Sequence, residues 1–245
     1  MPFTLHPSLQ AKPTLLRVLI CASLSLGSPP LLAQASSAAM SGPAMQASAD
    51  LAQFVQHNLQ TRIGGLPQEF PLDIADIQDL KDAKIGYGFQ VYTIYPGDIL
   101  AGRGELRSMA KPTGIWRFSI TLNGRSIGLA TVEQVAGKWE TVAYGAAVLA
   151  KDLDASLFAY ANNDRSNVRF IRIYQAQSDF LEVVSATDAK TRFAPLYSAR
   201  QSLLFKQKAD RNSTDARTSS EELLESHELL APLRAAVSKN MDASR

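Results

Sequence analysis

Apolar and polar residues alternate on both sides of Asn123-Gly124, from Ile115 to Leu122 and again from Arg125 to Val132. Asn-Gly between two alternating runs predicts a two-residue hairpin turn, because both central residues of a type I′ turn need positive φ. A plain two-residue turn pairs Leu122 with Arg125, Ile120 with Ile127, Phe118 with Leu129 and Trp116 with Thr131. These residues share one largely apolar face. Arg117, Ser119, Thr121, Ser126, Gly128 and Ala130 share the other. Glycine weakens a strand interior, so Gly128 calls for a bulge or for close approach by a backbone or ligand. The small side chains beside it suit a helix lying across that face, and residues 47–63 are the expected one.

The same reading extends along the chain. Leu51, Phe54, Val55, Leu59 and Ile63 form a helical stripe that ends before Gly64-Gly65. Asp73, Asp76, Asp79 and Asp82 recur every third residue beside Ile74, Ile77 and Leu80. A calcium loop alternates its ligands and needs a glycine, so this spacing predicts one short helix with a solvated acidic face. Residues 87–95 alternate as a strand, and a long connection follows to Gly114. Val135 to Gly137 turns the chain into a third strand, 138–144, whose register stays open. A two-residue turn there sets Glu133 against Glu140, so a bulged three-residue loop with Gly137 at positive φ is expected. Ala146, Leu149, Leu153, Leu157 and Tyr160 mark the main helix, about 145–162. Residues 168–175 and 180–186 read as a second hairpin, and 193–204 as a strand and then a helix capped by Ser198. A final helix is expected from Ser219, boxed by Glu222, with Pro232 kinking or breaking it.

Hairpins separated by a helix predict an α+β fold. The expected form is an antiparallel sheet of about five to six strands, with the main helix and flanking N- and C-terminal helices packed on it. The first 35 residues read as a cleaved export signal: Lys12 and Arg17 without any acid, an apolar run from Val18 to about Leu26, then Ala33-Gln34-Ala35. The run is too short to span a membrane. Residues 36–46 read as a flexible lead-in, 47–208 as one domain, 209–218 as a linker and 219–245 as a C-terminal helical segment. Cleavage after Ala35 places the mature chain in the periplasm or outside the cell.

Charge and cysteine usage then exclude several functions. Without Lys12 and Arg17, the 25 basic residues fall to 23 and equal the 23 acids. A neutral mature chain has no global field to gather nucleic acid. The single cysteine, Cys21, leaves with the signal, so the mature chain has no disulfide, thiolate nucleophile or cysteine-bound metal. Its two histidines, His57 and His227, lie far apart in sequence without a second histidine at metal spacing. Ser108-Met-Ala-Lys111 lacks the supporting motifs of penicillin-recognising enzymes, and Pro112 breaks the helix it would need. No cofactor motif is present, and neither a cofactor nor a metal is expected. The pattern Asn212-Ser-Thr would accept a glycan only in a eukaryotic source.

Acids and aromatics remain. Glu133 with Glu140, and Asp179 with Glu182, are the candidate carboxylate pairs, with solvated strand-edge acids as the ordinary reading. Tyrosines and tryptophans gather on the sheet and main helix. Where they line a cleft, Arg117, Arg169 or Arg172 beside them would suit a carboxylate, sugar or peptide ligand. Arg172 on an apolar strand face calls for Asp179 or Glu182 as partner. The candidate binding residues are therefore Arg117, Ser119, Thr121, Ser126, Gly128 and Arg172. The expected function is that of an exported, non-catalytic module of the bacterial envelope that binds a protein, peptide or small molecule. A carboxylate-based hydrolase or lyase is the first alternative, and a structural protein assembling through a sheet edge the second.

Overall fold

The computed structural model describes residues 31–62, 65–102, 104–203 and 223–243. Seven strands form one sheet: β1 (Lys84–Thr93), β2 (Lys111–Leu122), β3 (Arg125–Val135), β4 (Lys138–Gly145), β5 (Val168–Ile173), β6 (Ser178–Val184) and β7 (Thr191–Pro195). Their spatial order is β4-β3-β2-β1-β5-β6-β7. All neighbours are antiparallel except β1 and β5, which run parallel. The sheet is thus mixed and larger than the five or six antiparallel strands expected. Residues 111–114, read as connection, extend β2, and the strand expected from 193 is β7, which starts two residues earlier and completes the sheet. The parallel pair arises because the main helix, α4 (Ala147–Tyr160), carries the chain from the β4 edge across the sheet to the far side of β1.

Helices cover both faces. The N-terminal helix α1 (Leu31–Thr61) packs Leu51, Phe54, Val55 and Leu59 against Ile120, Leu122, Ile127 and Ala130. It also runs back through the residues expected as a lead-in, and Ala47 and Met40 join Trp116, Phe118 and Val132. On the same face the C-terminal helix α6 (Ser226–Asp242) buries Leu229, Leu233 and Val237 against Ile171, Ile173, Phe180 and Phe193. Two short helices, α2 (Pro96–Ala101) and α3 (Leu106–Met109), pack beside it. The opposite face carries α4, whose Ala150, Leu153 and Leu157 meet Phe89, Val91, Leu129, Phe170 and Leu181. The last helix, α5 (Tyr197–Ser202), follows β7. Fully burying a large apolar side chain contributes roughly 1.5–3 kcal/mol, so each helix is held mainly by its stripe. No helix among the described residues is long and apolar enough to cross a membrane.

The central hairpin keeps its Asn123-Gly124 turn but not its full register. Leu122 pairs with Arg125 and Thr121 with Ser126, yet Ile120 pairs with Gly128 and Phe118 with Ala130. Ile127 is an extra, bulged residue. Beyond it every β3 side chain changes face. Gly128 and Ala130 move beneath α1 and its neighbours, while Leu129 moves under α4. Helix α1 therefore lies on the face of Trp116, Phe118 and Ile120, not on that of Ser119 and Thr121. A β-carbon at Gly128 would sit 2.6 Å from Leu72 Cδ2 and 3.0 Å from the Gly145 carbonyl oxygen.

Other elements also depart from expectation. The period-three segment is a 3₁₀ helix, Ile77–Asp82, whose repeat of three residues per turn buries Ile77 and Leu80 together. Its aspartates all keep contact with water as expected, and three also have partners: Asp76 and Asp79 form a capping box, and Asp73 pairs with Lys151 and Arg125. The turn between β3 and β4 has two residues, with Ala136 at φ +50° and Glu133 opposite Glu140. Both acids retain contact with water, which screens their repulsion. Ser198 does not cap α5; its hydroxyl donates to Asp179 Oδ2 at 2.8 Å. Helix α6 begins at Ser226 behind a Glu225–Glu228 box and runs through Pro232. The carbonyl that Pro232 leaves without a helical donor belongs to exposed Glu228, where water can reach it. Leu224 bridges to Phe193, covering part of the β7 edge. Residues 1–30, Ile63, Arg103 and 204–222, and with them most of the export signal, the linker, Asn212 and the Ser219 cap, lie outside the described residues.

Candidate functional site: an arginine-lined cleft

Strands β1 and β5 are in register only at Val91–Phe170 and Tyr92–Ile171. Ahead of these pairs no ladder joins them, and a cleft of ≈ 470 Å³ occupies the gap. Met40 of α1, Arg107 of α3 and Trp116 of β2 contribute to its lining, together with the segment from Asp164 to Phe170. Gly88 in its wall leaves room for the Phe118 ring, since a β-carbon there would lie 2.3 Å from a ring carbon.

The charged groups sit in a definite arrangement. Glu182 is 2% exposed, on the interior strand β6. Arg169 Nε donates to its Oε2 at 3.1 Å, Arg169 Nη2 pairs with the same oxygen, and Arg107 Nη1 lies 3.5 Å from Oε1. Arg169 also donates to the Arg107 carbonyl oxygen and stacks over Tyr92, 4.6 Å from the ring centroid. Arg107 Nη1 donates to Thr191 Oγ1 at 3.1 Å, and its side chain is 49% exposed.

A second stack lines the same cleft. Arg165 places its guanidinium 4.1 Å from the Tyr87 centroid, and that guanidinium makes no hydrogen bond or ion pair among the described residues. Burial raises the Tyr87 phenol above its ordinary value, against a smaller opposing pull from Arg165, so the ring stays neutral. Arg165 holds a left-handed backbone, φ +56°, in the turn from α4 into β5. That turn is braced from several sides. Asn167 Oδ1 accepts from the Asn162 N–H, Asn167 Nδ2 donates to the Tyr160 carbonyl, and the Ser166 N–H donates to Asp164 Oδ1. The last contact comes first in holding the Asp164 carboxyl below its usual range.

Arg169 and Glu182, both singled out in the sequence, line this cleft, whereas the six candidate binding residues fall elsewhere. Arg117 faces α4, with its guanidinium 5.9 Å from the Phe170 centroid. Burial first, and Arg172 second, lower its pKa, and its Nε and Nη1 are buried without a hydrogen-bond partner among the described residues. Arg172 lies on the same face and pairs with both Asp179 oxygens at 3.1 Å, as its pattern suggested. Ser119 is buried against Gly86, and Thr121 donates to the Lys84 carbonyl. Ser126 is buried, and Gly128 belongs beneath Leu72. These six do not form one groove. Asp179 and Glu182 are not solvated edge acids, because β7 makes β6 an interior strand. Sequence reading missed Arg107 and Arg165. The polar turn Asn162 to Asn167, which holds an arginine between a helix and a strand, was the available signal for the second.

Among the described residues no group of three or more histidines, cysteines, aspartates or glutamates converges on a possible metal position. None of the family models, curated proteins and solved structures compared with this chain matches it.

Proposed function

We propose that the protein is an exported, non-catalytic binding module whose ligand occupies the cleft between β1 and β5. The observation that carries this reading is the division of labour among its charges. Both oxygens of Glu182 face guanidinium groups, so this acid is committed to holding Arg169 and Arg107 in place. Arg165, by contrast, is fixed by an aromatic ring and a braced turn while its hydrogen-bond donors stay open. Fixed but unsatisfied donors beside aromatic walls suit recognition. A carboxylate-based hydrolase would need one acid held protonated, whereas Ser166 favours the ionised form of Asp164. Export rests on the N-terminal pattern of basic, apolar and small residues.

The test is native mass spectrometry on the protein as purified from its own cells. A bound species should accompany the wild-type chain and be absent from Gln90→Trp, which fills the cleft from β1. Retention of the same species by a folded Gln90→Trp variant would place binding elsewhere.

A further inference from the structure

Taking the cleft as the binding site, we infer that its ligand is a singly charged organic carboxylate attached to a flat apolar body. Three arginines and two acids line the space. Arg169 and Glu182 neutralise each other in a buried pair. Arg107 and Arg165 then stand against Asp164 alone, leaving a surplus of one positive charge. One negative charge balances that surplus, and a phosphate dianion exceeds it. Arg107, Arg165 and Asp164 are exposed, so water screens the surplus, and a monoanion meets it without excess charge.

Donor geometry points the same way. Nε and Nη2 of Arg107 make no hydrogen bond among the described residues, and the whole Arg165 fork is open. A planar guanidinium edge matches a carboxylate with two parallel N–H donors. The remaining walls are flat rings: Tyr87 stacks on Phe89 at 5.8 Å between centroids, and Phe89 meets Phe170 at 4.9 Å. A volume of ≈ 470 Å³ accommodates a ring with a short chain and excludes a folded domain. The braced turn fixes Arg165 before binding, which lowers the entropic cost of association.

Isothermal titration of the full chain at low ionic strength, with benzoate, benzamide and phenyl phosphate as probes, tests the inference. Benzoate should bind at least about tenfold more tightly than neutral benzamide and than phenyl phosphate. Arg165→Asn removes the charge with a residue that tolerates the left-handed backbone. It should weaken benzoate about tenfold while the melting temperature holds. Arg107→Gln, at an exposed side chain, should weaken benzoate in the same direction. Equal affinity for benzoate and benzamide, tighter binding of phenyl phosphate, or no benzoate binding at millimolar concentration overturns the carboxylate assignment. Should the species lost from Gln90→Trp be uncharged, the cleft stands as the site and the carboxylate falls.

Discussion

At the scale of single residues, the buried polar atoms show where the fold holds free energy in reserve. The Tyr144 ring packs tilted against Phe54 at 4.4 Å between centroids, and its hydroxyl, beside that of Thr141, lacks a well-formed hydrogen bond. Burial pushes the phenol from its ordinary 10.0 to about 12. The raised value means that the unfolded chain loses this proton first as pH climbs. The contribution is complete below about pH 10 and lost as pH rises toward 12. Tyr144→Phe removes both the ionisation and an unsatisfied buried hydroxyl. Its melting temperature near neutral pH should equal or exceed that of the wild type. Its stability should also fall less steeply through the alkaline range, measured by denaturant melts at stepped pH. A loss of stability near neutral pH would mean that the hydroxyl has a bonding partner in solution.

At the scale of elements, the bulge at Ile127 governs the sheet. One extra residue moves Gly128 and Ala130 beneath α1 and hands Leu129 to α4, so both helices gain a surface shaped to them. Gly128→Ala tests this placement. Its β-carbon would press on Leu72 and on the Gly145 backbone, and overpacking of this kind costs about 1–3 kcal/mol. Gly97→Ala, where a β-carbon meets nothing within 4 Å, is the control and should change stability by less than about 0.5 kcal/mol. Equal midpoints for the two variants in urea would contradict the bulged register. The 3₁₀ helix makes the complementary point. Its period was plain in the sequence, whereas the partners of Asp73 lie 52 and 78 residues away, at Arg125 and Lys151.

At the scale of the whole molecule, two helices from opposite ends of the described chain share one face of the sheet. Helix α6 supplies Leu229, Leu233 and Val237, each 0% exposed, to the core over β5, β6 and β7. The C-terminal segment is therefore part of the packed domain. Deleting residues 223–245 should abolish the cooperative thermal transition and produce binding of a hydrophobic dye. A truncated chain that melts cooperatively would show that α6 is dispensable. Processing is a separate test at this scale. If export proceeds as proposed, protein recovered from its cells should begin at Ser36, which retains the part of α1 from Met40 onward that packs on the sheet. N-terminal sequencing that returns Met1 would end that proposal.

The sequence by itself determined what depends on neighbours along the chain. The Asn123-Gly124 turn, the α4 stripe, the second hairpin and the Arg172–Asp179 pair rest on periods of two, three or 3.6 residues and on local turn chemistry. Tertiary structure decided what depends on distant neighbours. The bulge at Ile127 is preferred because Leu72 and Gly145, far apart in sequence, require a glycine against them. The parallel pairing of β1 with β5 follows from where α4 delivers the chain. The cleft follows in turn, because those two strands pair at only two positions and leave a gap that Arg107, Arg165 and Arg169 reach from three separate segments. No periodicity encodes that meeting. It exists because a mixed sheet joins two antiparallel halves along one short parallel seam.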